Sequence, residues 1–191
     1  MIYIMSMNLG TIWSNKPPAN RVIIPRTSIN NNSVVAKNVN SAATRSFWGT
    51  AVWYFFHTIS CRINEAFYNS NYEYIWGFIK RICQTLPCPH CQTHAVSYIS
   101  KININEVRTK NQFKNVIFNF HNSVNSRIGK RVENISILDK YNRANIKKIF
   151  DLFEERFFYS YIGRRQFDDW IKNEVKTEYY KFYNIVRTQF N

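Results

Sequence analysis

Two cysteines at short spacing carry the most reactive side chains of this sequence, Cys88 and Cys91 in the run Leu86-Pro87-Cys88-Pro89-His90-Cys91. Thiols at this spacing can close a disulfide or bind a metal ion. Because proline is favoured in the first turn of a helix, Pro89 predicts a helix that begins beside Cys88. Free N–H groups and the helix dipole at such a terminus lower the pKa of a thiol and favour the thiolate, the nucleophile of disulfide exchange.

Two further groups of polar and aromatic side chains have helical spacing. Trp53 and His57 are four residues apart and share one face of a predicted helix, as do His121 and Asn125 on another, with Asn122 beside them. A single histidine on an aromatic helix is more often a core residue than a functional one. Amides beside buried apolar residues need hydrogen-bond partners, which either a neighbouring helix or a heterocyclic ligand could supply.

Apolar residues recur at three- and four-residue steps, and this pattern predicts an all-α protein. The predicted helices cover residues 46–60, 72–85, 89–100, 111–128, 138–159 and 165–190, with Asn69-Ser70-Asn71 as a loop and Gly129 as a C-terminal cap. The first two helices are expected to be antiparallel neighbours. At 1.5 Å per residue, the C-x-x-C pair then returns to the level of Trp48 and Trp53.

Composition and charge limit the class of protein. The 191 residues include 26 Lys and Arg against 12 Asp and Glu, and residues 1–130 hold only three acids, Glu65, Glu73 and Glu106. Such a surface attracts nucleic acid, acidic membranes or a phosphate-bearing cofactor. No signal peptide and no apolar run of 18 residues is recognisable, so we expect a protein that is not secreted, without a membrane span, in a reducing compartment.

Three regions are predicted along the chain. Residues 1–45, rich in Asn, Ser, Pro and Thr, read as an irregular N-terminal arm. Residues 46–130 hold every motif whose side chains could take part in catalysis. Residues 131–191 are predicted to form a helical C-terminal extension. The aromatic side chains of that extension predict packing or a dimer surface.

Three motifs together resemble a known family. They are Trp48-Gly49 with Trp53 and His57, then Pro87-Cys88-Pro89-His90-Cys91, then His121-Asn122-Ser123-Val124-Asn125 followed by Gly129-Lys130. In this order and spacing, residues 46–130 resemble the Erv1/Alr family of FAD-linked sulfhydryl oxidases. The tract Leu86 to Ser100 is most similar to members from large double-stranded DNA viruses, such as African swine fever virus and poxviruses.

The resemblance implies a four-helix bundle that holds FAD beside the redox cysteines. It makes Cys91 the flavin-proximal thiol and Cys88 the thiol that exchanges with substrate. Electrons from a substrate dithiol would pass through FAD to dioxygen and give hydrogen peroxide. The cofactor-binding residues it implies are Trp48, Gly49, Trp53, His57, Cys91, His121, Asn122, Val124, Asn125 and Lys130, the last as a point charge for a phosphate.

The sequence also differs from many cellular members of the family. Thr50 follows Gly49 where those members have arginine, no cysteine follows Cys91, and the N-terminal arm holds no shuttle cysteines. The enzyme is therefore expected to meet its protein dithiol substrates directly or through a thioredoxin-like partner. The resemblance further implies a homodimer that forms disulfides of viral proteins in the host cytoplasm or the virion.

Alternative readings concern the cysteines and the basic surface. Zinc could be bound by Cys88, Cys91 and His94, with Cys83 or His90 as a fourth ligand. A basic helical protein without enzymatic activity could bind nucleic acid, although the Lys and Arg residues are scattered. Cys61 and Cys83 are predicted to be buried free thiols, because about 16 Å of helix separates Cys83 from the loop near Cys61.

Overall fold

A computed structural model describes residues 41–162 and 168–191, with side chains from residue 45 onward. The described residues form six α-helices, which confirms the all-α prediction. Their bounds are α1 Ser41–Arg62, α2 Glu65–Gln84, α3 Pro89–Ile99, α4 Lys110–Arg127, α5 Ile146–Tyr159 and α6 Asp169–Val186, with 3₁₀ segments at Ile104–Glu106 and Ile135–Arg143. Residues 1–40 of the predicted arm lie outside the described residues, and α1 begins five residues before the predicted start.

Helix α1 lies at the centre of the hydrophobic core. Its predicted apolar stripe is buried except at Phe47, which is 37% exposed. The Phe55 ring stacks on Phe153 of α5 at 4.2 Å and contacts Phe150 edge-on at 4.9 Å. Much of the aromatic stripe of the C-terminal extension is therefore core, since Phe150, Phe153, Phe157, Tyr179 and Phe182 are all buried.

The corner between α1 and α2 differs from the prediction. The chain turns at Ile63 and Asn64, whose side chain accepts a hydrogen bond from the Phe67 N–H and caps α2. The predicted loop at residues 69–71 is present only as a kink, because Asn69 and Ser70 are helical and Asn71 alone has non-helical backbone angles (φ −130°, ψ 18°). The Asn71 side chain donates to the Phe67 carbonyl at 2.9 Å, which satisfies a backbone group at the kink.

Helices α3 and α4 agree with the prediction within two residues at each end. Thr109 and Gln112 form a capping box that starts α4, with each side chain bonded to the backbone of the other. Gly129 follows α4 with φ +69°, a conformation that favours glycine, which confirms its predicted role as a cap. The turn after α4 is therefore fixed by local sequence.

The predicted helix over residues 138–159 is wrong in its first third. Residues 135–143 form a 3₁₀ segment, and α5 starts only after Asn145, whose side chain accepts from the Lys148 N–H at 3.0 Å. The predicted helix over 165–190 corresponds to α6, although residues 165–167 lie outside the described part. Arg81 of α2 pairs with Glu174 and Glu178 of α6, the latter at 2.8 Å.

The described cysteines divide into one pair and two single thiols. Cys61 and Cys83 are free and buried, which confirms the prediction for both. Burial raises the pKa of each thiol, that of Cys83 to about 12. None of the helices described here is both long and apolar enough to cross a membrane.

Candidate redox and cofactor site

Cys88 and Cys91 form a disulfide at the N-terminus of α3, with their Cα atoms 5.2 Å apart. Cys88 is the N-cap residue, and its Sγ accepts a hydrogen bond from the Cys91 N–H at 3.2 Å. Both cysteines are half-buried, whereas Pro89 and His90 between them are exposed. A thiolate formed here on reduction would be stabilised by the amide donor and the helix dipole.

Rings from α1 and α4 form a second cluster, which contains three of the predicted site residues. The Trp53 ring stacks on His121 with centroids 4.0 Å apart and planes 9° apart. Nε2 of His57 lies 2.8 Å from Nδ1 of His121, so one of these two nitrogens donates a hydrogen bond to the other. The two helix faces that the family resemblance assigns to one cofactor site therefore meet in the structure.

Contacts from α4 connect this ring cluster to the redox disulfide. The Phe120 ring lies between Trp53, at 5.1 Å, and Tyr98 of α3, at 4.6 Å. Two residues after Asn125, Arg127 donates from Nη1 to Nε2 of His90 at 2.9 Å, next to the cysteines. The three sequence motifs thus contribute to one continuous region formed by α1, α3 and α4.

The two histidines of the cluster are neutral at pH 7. His57 is 2% exposed, and its pKa is well below the usual value because of burial, with smaller effects from His121 and Lys140. Burial lowers the pKa of His121 to about 4, and the charges of Lys140 and Lys130 act in the same direction. A ligand at this site would meet uncharged imidazole rings surrounded by positive charge.

Buried polar atoms without partners occur on α1, the helix that carries the first motif. Among the described residues, Trp48 Nε1, His57 Nδ1 and Thr58 Oγ1 are buried and make no hydrogen bond. An unpaired buried donor costs about 1–3 kcal/mol, so such atoms call for a ligand or an ordered water. Two of the three belong to residues predicted to bind FAD, and a Cβ at nearby Gly49 would meet no atom within 4 Å. The residues present fit a heterocyclic cofactor with hydrogen-bonding groups.

The remaining predicted residues of α4 lie at its C-terminal end. The Asn122 side chain donates to the Glu133 carbonyl and accepts from the Glu133 N–H, both at 3.0 Å. Its amide therefore holds the following loop, a partner that is neither the neighbouring helix nor the ligand expected from the sequence. Asn125 is buried, and Val124 is half-buried against the core. The Lys130 side chain is exposed, and its backbone N–H donates to the Asn125 carbonyl at 2.8 Å.

Two residues near the histidines were missed in the sequence analysis. The buried Tyr141 ring lies 5.0 Å from the His57 ring, and Nζ of Lys140 lies 5.1 Å from the centre of the Tyr141 ring. Burial lowers the pKa of Lys140, which places a partly desolvated cation next to the cluster. Their signal is weak in sequence: one lysine beside an apolar pair, Leu138 and Tyr141, in a segment that was predicted to be helix.

The structure does not support the zinc alternative. No group of three or more His, Cys, Asp or Glu side chains within residues 41–162 and 168–191 could hold a metal ion. Cys88 and Cys91 are joined to each other, and a disulfide sulfur is not the thiolate that zinc requires. The arrangement suits dithiol–disulfide chemistry instead.

Comparisons with known proteins identify the family. A model of the Erv1/Alr family matches residues 50–150. Protein 096R of Invertebrate iridescent virus 3, which carries the name of an FAD-linked sulfhydryl oxidase, is 34% identical over 84 residues, 44% of this chain and 57% of that protein. The FAD-linked sulfhydryl oxidase of African swine fever virus (isolate Warthog/Namibia/Wart80/1980) is 33% identical over 86 residues, 44% of this chain and 71% of that protein.

The coverage of these relatives is uneven, and the chain spans little more than half the length of the iridescent virus 3 protein. Among solved structures, none matches the chain significantly. The family model nevertheless covers more than half of the chain, and most of the African swine fever virus protein is matched. The chain therefore belongs to the Erv1/Alr family.

Proposed function

We propose that this chain oxidises pairs of thiols in substrate proteins through the Cys88–Cys91 disulfide, with FAD as its cofactor. The observation that carries the proposal is the position of this disulfide, at a helix N-terminus and joined through Phe120 of α4 to a ring cluster that holds the buried, unpaired Nδ1 of His57. The names of the viral relatives support the same activity.

The thiol half of the reaction needs only the two cysteines. A substrate thiolate attacks Sγ of Cys88, the Cys88–Cys91 bond breaks, and Cys91 leaves as a thiolate. A second substrate thiolate then attacks the substrate sulfur of the mixed disulfide, which forms the substrate disulfide and releases Cys88. The N–H of Cys91, which already donates to Cys88 Sγ, stabilises this leaving thiolate.

The cofactor would be held by the residues of α1 and α4. When bound, FAD supplies a two-electron acceptor for the reduced pair and a route to dioxygen, which is reduced to hydrogen peroxide. Trp53, His57 and His121 offer ring surfaces, and Trp48 offers its unpaired indole N–H. Gly49, Cys91, Asn122, Val124 and Asn125 would complete the lining. Lys130 and Lys140 supply positive charge that suits a pyrophosphate group.

The biological setting follows from the same resemblance. Viral relatives support a role in disulfide formation of viral proteins in the host cytoplasm or the virion. A homodimer and a thioredoxin-like intermediary between enzyme and substrate are part of the proposal. The neutral rings of the site and the scattered basic residues favour a nucleotide cofactor over nucleic acid as the anionic ligand.

An absorbance spectrum and an oxygen electrode test the proposal. The purified protein is expected to be yellow with bound flavin and to consume oxygen in the presence of dithiothreitol. Cys91→Ala and Cys88→Ala should each lose this activity, whereas Cys83→Ala, which changes a buried free thiol, should retain it. A colourless protein, or full turnover by Cys91→Ala, would contradict the proposal.

A further inference from the structure

A tyrosine of the C-terminal extension contacts the segment that carries the redox cysteines. The hydroxyl of Tyr161, just beyond α5, donates to the Thr85 carbonyl at 2.7 Å, although 76 residues separate them. Tyr161 is 2% exposed, and its ring packs against Phe157 at 5.1 Å. Burial raises the pKa of this phenol, so it keeps its proton and remains a donor at any physiological pH.

Thr85 is separated from Cys88 by two residues that have little conformational freedom. It is the C-cap residue of α2, and Cys88 is the N-cap residue of α3. Pro87 has a fixed φ, and a proline restricts the preceding residue, here Leu86, to extended conformations. Both residues are also buried. The position of the Thr85 carbonyl is therefore transmitted to the Cα of Cys88.

A second side chain also binds the backbone at the same helix end. Gln92 of α3 donates from Nε2 to the carbonyl of Gln84, the residue before Thr85. Carbonyls at the C-terminus of a helix have no partner within the helix, so these two side chains satisfy consecutive free acceptors. Gln92 belongs to the motif region, whereas Tyr161 lies beyond the residues 50–150 that match the family model.

We propose that Tyr161 is a positioning residue for the redox pair, which keeps Cys88 at disulfide distance from Cys91 when both are reduced. This inference rests on the proposed function of the two cysteines. Dithiol oxidation by glutathione disulfide gives the Cys88–Cys91 disulfide and two glutathione molecules, and its equilibrium constant rises when the two thiols are held together. Loss of the Tyr161 hydroxyl should therefore make the enzyme disulfide easier to reduce.

The test compares Tyr161→Phe with Tyr179→Phe in the full-length, flavin-loaded protein under anaerobic conditions. Tyr179 is a matched control, because it is also buried and its hydroxyl donates to a backbone carbonyl, that of Phe150, at 3.0 Å. Each protein is equilibrated with mixtures of reduced and oxidised glutathione, and the free thiols are then alkylated. Mass spectrometry of the peptide that contains Cys88 and Cys91 measures the fraction of the pair that is reduced.

Loss of the Tyr161 hydroxyl should lower the equilibrium constant for oxidation of the pair by glutathione disulfide about fivefold, given the net strength of one hydrogen bond. This change corresponds to a rise of about 20 mV in the reduction potential of the pair, which makes the disulfide easier to reduce. Tyr179→Phe should leave it unchanged, although both variants should lose similar thermal stability. Equal equilibrium constants in the two variants, or an unchanged value in Tyr161→Phe, would overturn the inference. A wild-type pair that does not titrate as one two-electron couple would instead refute the proposed function.

Discussion

The buried histidine pair of α1 and α4 predicts a loss of stability in mild acid. His57 and His121 are hydrogen-bonded to each other at 2.8 Å, with Lys140 nearby and no carboxylate among the groups that shift their pKa values. Both pKa values are lowered, that of His121 from 6.5 to about 4. Acidification from pH 7 to pH 5 is the perturbation that examines this arrangement.

The sign follows from proton binding in the two states. Between the unfolded and folded pKa values, the unfolded chain binds more protons than the folded one, so stability falls as the pH falls below 6.5. For His121 alone, the shift corresponds to about 2 kcal/mol at pH 5 relative to pH 7, and to about 3 kcal/mol when the pH falls below 4. The lowered pKa of His57 adds to the loss in the same direction.

Urea unfolding followed by circular dichroism at pH 5, 6 and 7 measures this effect. Carboxylates also titrate in this range, so the informative quantity is the difference between wild type and His121→Gln. The variant should lose about 2 kcal/mol less than wild type between pH 7 and pH 5. His90→Gln changes an exposed histidine beside the cysteines and serves as the control. The same pH dependence in wild type and His121→Gln would refute the reasoning.

Other predictions concern the core, the surface and the free thiols. Phe153→Ala should lower the free energy of unfolding by about 3–5 kcal/mol in urea titrations, because this ring is fully buried against Phe55. Arg81→Met should lower the free energy of unfolding by less than about 1 kcal/mol, because the ion pairs of Arg81 are partly exposed. High salt should abolish this difference between the variant and the wild type. Native oxidised protein should incorporate no maleimide at Cys61 or Cys83 at neutral pH, whereas reduced, denatured protein should incorporate four.

Each of these predictions has a clear contrary result. A loss below about 1 kcal/mol for the phenylalanine variant would mean that the core collapses around the vacant volume. A salt-independent loss for the arginine variant would indicate that its aliphatic stem, and not its charge, stabilises the contact. Rapid labelling of the native protein would show that one buried thiol becomes accessible by local opening.

Periodicity predicted the helices best where one face is strongly apolar. In α1 and α4 the buried residues recur at helical spacing, so the sequence alone indicated which face meets the core. Spacing allowed either a disulfide or a metal site at Cys88 and Cys91, and only the family resemblance placed His57 and His121 in one site. Gly129 was predicted as a cap from local sequence alone, whereas the capping box of Thr109 and Gln112 was not recognised, although it is also a local signal.

The errors arose where tertiary contacts outweigh local preference. Asn69-Ser70-Asn71 has the composition of a loop, yet the adjacent Tyr68 is fully buried and its hydroxyl donates to the Val107 carbonyl at 2.6 Å, which keeps α2 packed through the kink. Residues 138–159 have continuous amphipathic spacing, but the segment breaks at Ala144 and Asn145 so that Tyr141 reaches His57. Neither contact could be predicted from local sequence, because both join residues distant in the chain.

The short pairing at the α1–α2 corner has a consequence for biosynthesis. Ile63 forms a β-bridge with Phe190, and Arg62 donates from Nε to the Asn191 carbonyl at 2.6 Å, 129 residues further along the chain. While the ribosome is still producing α3 to α6, this corner has no partner, and the aromatic face of α1 has no α5 to cover it. Folding of this corner is therefore completed only after α5, α6 and the residues that follow them have been synthesised. Until then the growing polypeptide exposes an apolar, aromatic surface that a chaperone can bind.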